Sequence, residues 1–310
     1  MKKISIIIPT YYNELNIRKT YNELEEVVLK NLKKYNYELI FVDDGSKDNT
    51  VKEIEKVMEN HKNIKLVTLS KNFGSHSAIL AGLSVCTGDV ASFISSDLQD
   101  PPSIILQMLE KWENGNQAVI AVRKDREESI IQKFFSNTYY KIMQKIAIDN
   151  MPNGGFDCFL IDRKVINVLV EMKEKNTSLM GLILWSGFKL DKIYYVRKKR
   201  EDGKSGWTLK KKFKYFTDSI ISFSFFPIKC ISYIGFLFFF ISMIALIVIF
   251  SQKLFGNISI PGYTTIALIL LMSSGLILLT LGIIGEYLWR IFDSVRTRPT
   301  FIIDEIKESK

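Results

Sequence analysis

An α/β fold, built on a mostly parallel, doubly wound sheet and followed by two C-terminal membrane-spanning helices, is what this chain of 310 residues predicts. Three observations carry that expectation. Short β-branched apolar runs alternate with amphipathic stretches through the first third of the chain. Polar clusters follow those runs at their carboxyl ends. Late in the chain come two apolar stretches, each long enough to cross a bilayer.

Residues 4–8 form a β-branched run, the pattern of a strand buried on both faces. The segment is too short for the apolar core of a signal peptide, and Pro9-Thr10 interrupts it. Residues 16–34 carry leucines and valines at helical spacing and predict a helix. Residues 38–42 predict a second strand, running into Asp43-Asp44-Gly45-Ser46. Residues 47–60 predict a helix capped by Asp48 or Asn49. A third strand is expected at 64–69, a helix of small and apolar residues at 75–85, and a fourth strand at 90–94. Strands alternating with helices imply a doubly wound sheet, in which ligands bind beyond the carboxyl ends of the strands. Residues 10–14, 43–46 and 95–100 are the polar clusters expected at that edge.

From about Pro227 the chain changes character. Residues 228–250 are nearly uncharged apart from Lys229. At ~1.5 Å per residue they reach roughly 35 Å, against a hydrocarbon core of about 30 Å. Residues 264–288 hold the second apolar run, after a short loop at 251–263 whose only basic residue is Lys253. Lys210, Lys211, Lys212 and Lys214 precede the first run, and Arg290, Arg296 and Arg298 follow the second. Basic residues favour the cytoplasmic side, so residues 1–217 and the tail 289–310 are expected there, in and beneath the cytoplasmic membrane. Soluble core helices rarely exceed about 18 apolar residues, which disfavours a buried hairpin. Residues 218–227 admit two readings: an amphipathic segment in the headgroup layer, or a linker packed on the soluble domain.

The formal net charge is +9. A basic balance fits nucleic acid, a membrane surface or a phosphorylated substrate. Aromatics, 12% of the chain, gather beside the apolar runs, which points to lipid and away from a nucleic-acid partner. Cys86, Cys158 and Cys230 are widely spaced, an odd count that suggests a reducing compartment. With no CxxC and only His61 and His76 as histidines, a zinc site is not expected.

Two clusters carry chemistry. Asp43 and Asp44 can accept hydrogen bonds from a base or a ribose, or can close a turn that caps the next helix. Asp97 and Gln99 alternate in Ser96-Asp97-Leu98-Gln99-Asp100-Pro101-Pro102, so their oxygens can face one point. Hard cations take such oxygens and sit between a carboxylate and substrate phosphates. A solvated acidic turn is the competing reading. His76 could touch a diphosphate or pack at a helix start.

Taken together, residues 8–14, 42–50, 72–74 and 97–102 resemble the family 2 glycosyltransferases in order and spacing. The whole chain is similar to their polyprenyl-phosphate branch. The resemblance implies a GT-A fold, a nucleotide-sugar donor, Mg²⁺ or Mn²⁺, and an inverting transfer to polyprenyl (undecaprenyl) phosphate at the membrane. It also allows a homo-tetramer. By that similarity Pro9, Tyr11, Glu14, Asp43 and Asp44 line the donor pocket, and Asp97 and Gln99 hold metal and diphosphate. Asp157, in Gly155-Phe156-Asp157-Cys158-Phe159-Leu160-Ile161-Asp162-Arg163, is the acceptor-side carboxylate. Arg200, Lys204 and Ser205 form the lipid-phosphate clamp. The chain departs from the family at Ser95, where an acidic residue is usual and Asp100 or water is a candidate substitute. It departs again at Phe159, where an arginine is frequent, and at Gly206, where a lysine is usual. UDP-linked glucose or N-acetylhexosamine is the expected donor. The rivals are a processive polysaccharide synthase, whose Gln-x-x-Arg-Trp motif is absent here, and a non-catalytic membrane scaffold.

Overall fold

The computed structural model describes residues 1–124, 155–172, 174, 177–196, 262–296 and 298–309, with single positions between 141 and 152 and between 217 and 251. The chain divides into two compact units: Met1–Ser219 with Pro299–Lys310, and Ile220–Arg298.

In the first unit, β1 (Lys2–Thr10), β2 (Tyr35–Asp43), β3 (Ile64–Leu69) and β4 (Val90–Phe93) alternate with α1 (Ile17–Val27), α2 (Thr50–Asn60) and α3 (Ser75–Val85). Then come α4 (Ile104–Glu113), β5 (Ala118–Arg123), β6 (Phe156–Asp162), α5 (Arg163–Glu171), α6 (Leu179–Trp185) and β7 (Leu190–Tyr195). The second unit holds α7 (Tyr263–Val295), and β8 (Ile303–Glu308) follows it in sequence. The strands form one eight-stranded sheet in the order β7-β5-β6-β4-β1-β2-β3-β8. Pairing is parallel except where β6 meets β4 and β5, and where β8 meets β3.

Alternation along β1 sorts its side chains between two faces. Ile4, Ile6 and Ile8 join one core with Leu24 of α1, Ile54 of α2, and Met108 and Trp112 of α4. Ile7 points the other way, where α3 lies so close that a Cβ on Gly82 would come within 2.5 Å of the Ile7 side chain. Both faces of the sheet are therefore covered, which explains strands that read as continuous apolar runs.

Two predicted helices are shorter than the sequence pattern. α1 ends at Val27, and Leu29–Asn31 form a 3₁₀ turn. There Leu29 and Leu32 turn into the core, and the Tyr35 N–H bonds the Leu32 carbonyl to start β2. α2 begins at Thr50 because Asp48 accepts from both the N–H and the hydroxyl of Thr50, at 3.1 and 2.6 Å. This is the local competition with helix that aspartate favours.

The C-terminal residues, expected as a tail, instead add a strand. β8 pairs antiparallel with β3, and the Ser309 hydroxyl accepts from the Ile64 N–H at 3.0 Å. Ahead of it, α7 is one continuous helix of 33 residues, ~50 Å long at 1.5 Å per residue. Its segment Ser273–Val295 has 23 residues and a mean hydropathy of 1.5, and none of it is buried. Among the described residues it is the one helix long and apolar enough to cross a membrane. The described positions between 230 and 251 are helical, and Tyr233, Leu237, Ile244 and Ile247 among them are exposed. The expected segment 218–227 and most of the span 228–250 lie outside the described residues.

Candidate functional site

The carboxyl ends of β1, β2 and β4 bring the predicted clusters to one edge of the sheet. Thr10 and Asp43 are register partners across β1 and β2, and the Asp44 N–H continues the ladder to the Thr10 carbonyl at 2.9 Å. Asp43 is buried. Its Oδ2 accepts from the Ser46 N–H at 2.9 Å and closes a turn, which ends before the next helix begins at Thr50 and does not cap it. Its Oδ1 is also buried and has no hydrogen-bond partner among the described residues. Such an oxygen is costly unless a ligand donor reaches it. Asp43 therefore both closes a turn and offers an acceptor.

Asp44 is placed differently from its neighbour. Its carboxylate accepts from the N–H groups of Phe73 and Gly74, at 2.7 and 2.9 Å. Burial raises its pKa against those two bonds, and Asp43 adds to the rise. The carboxylate holds the Asn72-Phe73-Gly74 loop rather than facing outward. Gly45 has φ +74°, and a Cβ there would sit 2.7 Å from the Lys71 carbonyl carbon, so only glycine fits. Glu14 likewise accepts from the N–H and side chain of Asn49, at 2.9 and 3.2 Å, tying the β1 loop to α2. Tyr11 and Tyr12 are about half exposed, with ring centroids 4.6 Å apart in an edge contact. Tyr12 has φ +54°, held by a bond from its N–H to the Ser46 hydroxyl at 3.0 Å. Pro9 lies beside them at the end of β1.

The loop after β4 carries Ser95, Asp97 and Gln99. Leu98 between them has φ +53°, a left-handed conformation costing roughly 1–2 kcal/mol for a side chain of this kind. Several bonds hold it. The Ser95 hydroxyl donates to Asp97 Oδ1, and the Gln99 N–H reaches the same oxygen at 3.3 Å. The Thr20 hydroxyl of α1 donates to the Ser96 carbonyl at 2.8 Å. Asp100, considered above as a substitute ligand, is 1% exposed and accepts from the Tyr195 hydroxyl at 2.5 Å. It is a buried anchor of the loop, because its carboxylate faces β7 rather than the crevice.

Asp97, Gln99 and Ser95 offer only oxygen donors, the set that Mg²⁺ or Mn²⁺ accepts. Among the described residues no three His, Cys, Asp or Glu side chains cluster as a self-sufficient ligand set. Such a loop fits a hard cation that shares its coordination with substrate phosphates.

Asp157, near the start of β6, forms an ion pair with Arg123 at the end of β5. Phe159, at the position of the family's frequent arginine, is fully buried in the sheet. Arg123 is the basic side chain that the fold brings to Asp157, although it lies 34 residues earlier in sequence. Burial lowers the pKa of His76, with a backbone bond to Thr177 opposing it. Arg200, Lys204 and Ser205 lie outside the described residues.

Thr20, Arg123 and Tyr195 were not singled out in the sequence. Arg123 and Tyr195 end short apolar strands, and their proximity depends on the β5–β7 register that pairs them. The β-branched run 118–122 was the available signal.

Comparison with known proteins places these features in a family. The sequence pattern described as Glycosyl transferase family 2 matches residues 5–170. The glycosyltransferase YkcC of Bacillus subtilis is 38% identical over 302 residues, covering 97% of this chain and 93% of the relative. The prophage bactoprenol glucosyl transferase homolog of Escherichia coli is 32% identical over 317 residues, with 99% and 100% covered. The bactoprenol glucosyl transferase of Shigella phage SfII is 32% identical over 309 residues, with 97% of each covered. Among solved structures, the mannosyltransferase PcManGT of Pyrobaculum calidifontis, in complex with GDP-Man and Mn²⁺, aligns with a TM-score of 0.50. It is 17% identical and covers 71% of this chain and 64% of its own, a likeness of fold.

Proposed function

The chain belongs to glycosyl transferase family 2, and from that premise we propose that it transfers a sugar from a nucleotide-sugar to polyprenyl phosphate at the cytoplasmic face of a membrane, inverting the anomeric centre. UDP-linked glucose or N-acetylhexosamine is the donor class. The single observation that carries the reading is Asp43 Oδ1, a buried, unpartnered acceptor at the carboxyl edge, beside half-exposed Tyr11 and one loop away from Asp97. A nucleoside N–H or hydroxyl satisfies that oxygen, and an aromatic face covers the ring. Bactoprenol glucosyl transferases similar along nearly the whole chain support the lipid acceptor.

In the reaction, an oxygen of the acceptor phosphate forms a bond to the anomeric carbon as the bond from that carbon to the diphosphate oxygen breaks. The electron pair leaves with the nucleoside diphosphate. Asp97 and Gln99 would hold Mg²⁺ or Mn²⁺, which supplies Lewis-acid neutralisation of the departing diphosphate. A phosphate monoester is largely ionised at pH 7, its second pKa being near 6, so little proton abstraction is needed. Asp157, paired with Arg123, orients the acceptor more than it removes a proton. Arg200, Lys204 and Ser205 complete the grip on phosphate.

Topology supports the membrane arrangement. Residues on both sides of the second unit share one sheet through β3 and β8, so they lie on the same side of any bilayer. The intervening chain must then cross an even number of times. α7 supplies one crossing, and residues 228–250 supply the other.

The test is a donor screen. Membranes carrying the chain are given undecaprenyl phosphate, Mn²⁺ or Mg²⁺, and each radiolabelled nucleotide-sugar in turn. One donor should label the lipid phase, and Asp97→Asn and Asp157→Asn should each cut the label by ~100-fold or more. Lipid binding without turnover from any donor would favour a non-catalytic scaffold instead.

A further inference from the structure

We propose that Tyr195 is a positioning residue of this site, acting through Asp100 on the loop that carries Asp97 and Gln99; the inference rests on the function proposed above. Tyr195 ends β7, at the far edge of the sheet from β1. Its ring is buried, and its hydroxyl reaches the buried carboxylate of Asp100 at 2.5 Å across a separation of 95 residues. Asp100 lies in the same loop, three positions after Asp97 and four before α4 begins at Ile104.

That loop needs anchors at both ends. Leu98, at φ +53°, is a left-handed leucine directly between the two metal-facing residues. Without restraint the segment would relax to an ordinary backbone and turn the oxygens of Asp97 and Gln99 apart, because φ at Leu98 sets their relative direction. The Thr20 hydroxyl holds the near end at the Ser96 carbonyl. The Tyr195 hydroxyl holds the far end. No regular hydrogen-bond ladder spans 95–100, so these side chains fix the loop.

Tyr195 also stands in register beside Arg123, which pairs with Asp157. The Tyr195 hydroxyl itself goes to Asp100, so its removal acts on the loop of Asp97 and Gln99 and leaves the Arg123–Asp157 pair in place. The burial of the Tyr195–Asp100 bond suits it to transmit position, since water does not compete for either partner.

The test uses the full chain in detergent micelles and calorimetric titration with UDP, GDP and CDP, each with Mn²⁺. The nucleotide that the wild-type chain binds tightest is the probe. Tyr195→Phe removes one hydroxyl and leaves the packing. It should weaken probe binding about five- to tenfold, the contribution of one buried hydrogen bond. Binding of undecaprenyl phosphate should stay within about twofold. Asp100→Ala should weaken the probe at least as much, and the double variant should be no weaker than Asp100→Ala, since the two act as one unit. A purely structural role would lower the thermal midpoint and leave probe affinity per folded molecule unchanged, and that result overturns the inference. Multiplying losses in the double variant would overturn it too. If Asp100→Ala does not fold, Tyr195→Phe alone decides. A wild-type chain that binds none of the nucleotides sinks the proposed function. A wild-type chain that binds one, matched by Tyr195→Phe, sinks only this inference.

Discussion

Replacing Glu38 with glutamine separates the stability of the fold from the chemistry of its site. Glu38 lies on β2 towards the amino edge of the sheet, opposite the edge that carries Asp43 and Asp97, and is 2% exposed. Its carboxylate accepts from the Ser5 hydroxyl at 2.6 Å, the Thr87 N–H at 2.6 Å and Lys3 Nζ at 2.9 Å. Burial by itself would raise its pKa. The bonds from Ser5, Lys3 and Thr87 together outweigh burial and bring it down from 4.5 to about 2. At about 1.36 kcal/mol per pH unit, that drop corresponds to about 3 kcal/mol of stability. A lowered carboxyl pKa favours the folded state above the unfolded value. The contribution is thus present above pH 4.5 and is lost as the pH falls towards 2. At pH 7, Glu38→Gln should lower the thermal midpoint of the full chain by roughly 6–12 °C, at 2–4 °C per kcal/mol for a domain of this size. Sugar transfer per folded molecule should stay within about twofold of wild type. Repeated at pH 6, 5, 4 and 3, the melting gap between the two proteins should hold at pH 6 and 5 and narrow at pH 4 and 3. A gap that stays constant to pH 3 would refute the ionised, fully bonded Glu38, and a selective loss of transfer at pH 7 would refute its separation from the site.

Two further outcomes are expected. Gly45→Ala places a methyl 2.7 Å from the Lys71 backbone at φ +74°. It should cost more than the ~1–2 kcal/mol of a left-handed alanine and displace the loop that Asp44 holds, read as at least a tenfold rise in nucleotide dissociation constant by calorimetry. Truncation after residue 298 strips β8 from β3 and breaks the Lys307–Glu55 ion pair at 2.7 Å. The bared strand edge should show as a lower melting midpoint and as higher-order species in size-exclusion chromatography.

Where apolar periodicity was strong, the elements were legible. The strand at 64–69 and the helix at 75–85 have the bounds the pattern predicts, because the buried apolar residues of each lie between polar turns. The arrival of Asp43 and Asp97 at one edge was legible too, since parallel strands deliver their carboxyl-end loops to the same side. β8 was not. Ile303-Asp304-Glu305-Ile306-Lys307-Glu308 carries two isoleucines among four charges, a segment that is a strand only because the outer edge of β3 accepts it. Nor could adjacency in sequence separate Asp43 from Asp44. Consecutive side chains on a strand end point to opposite sides, and only the position of the 72–74 loop decides which carboxylate it consumes.

By itself, then, the sequence determined what short-range physics controls: the alternation of strands and helices, the turn chemistry at Asp43 and Gly45, the apolar lengths, and the kinds of atom available for donor and cation. The tertiary structure alone decided which atoms are already spent. Asp44 goes to the backbone of Phe73 and Gly74, and Asp100 to Tyr195. The physical reason is that a carboxylate keeps its options in solution, whereas burial compels it to take the nearest donor, and that donor is set by strand order and register across the sheet.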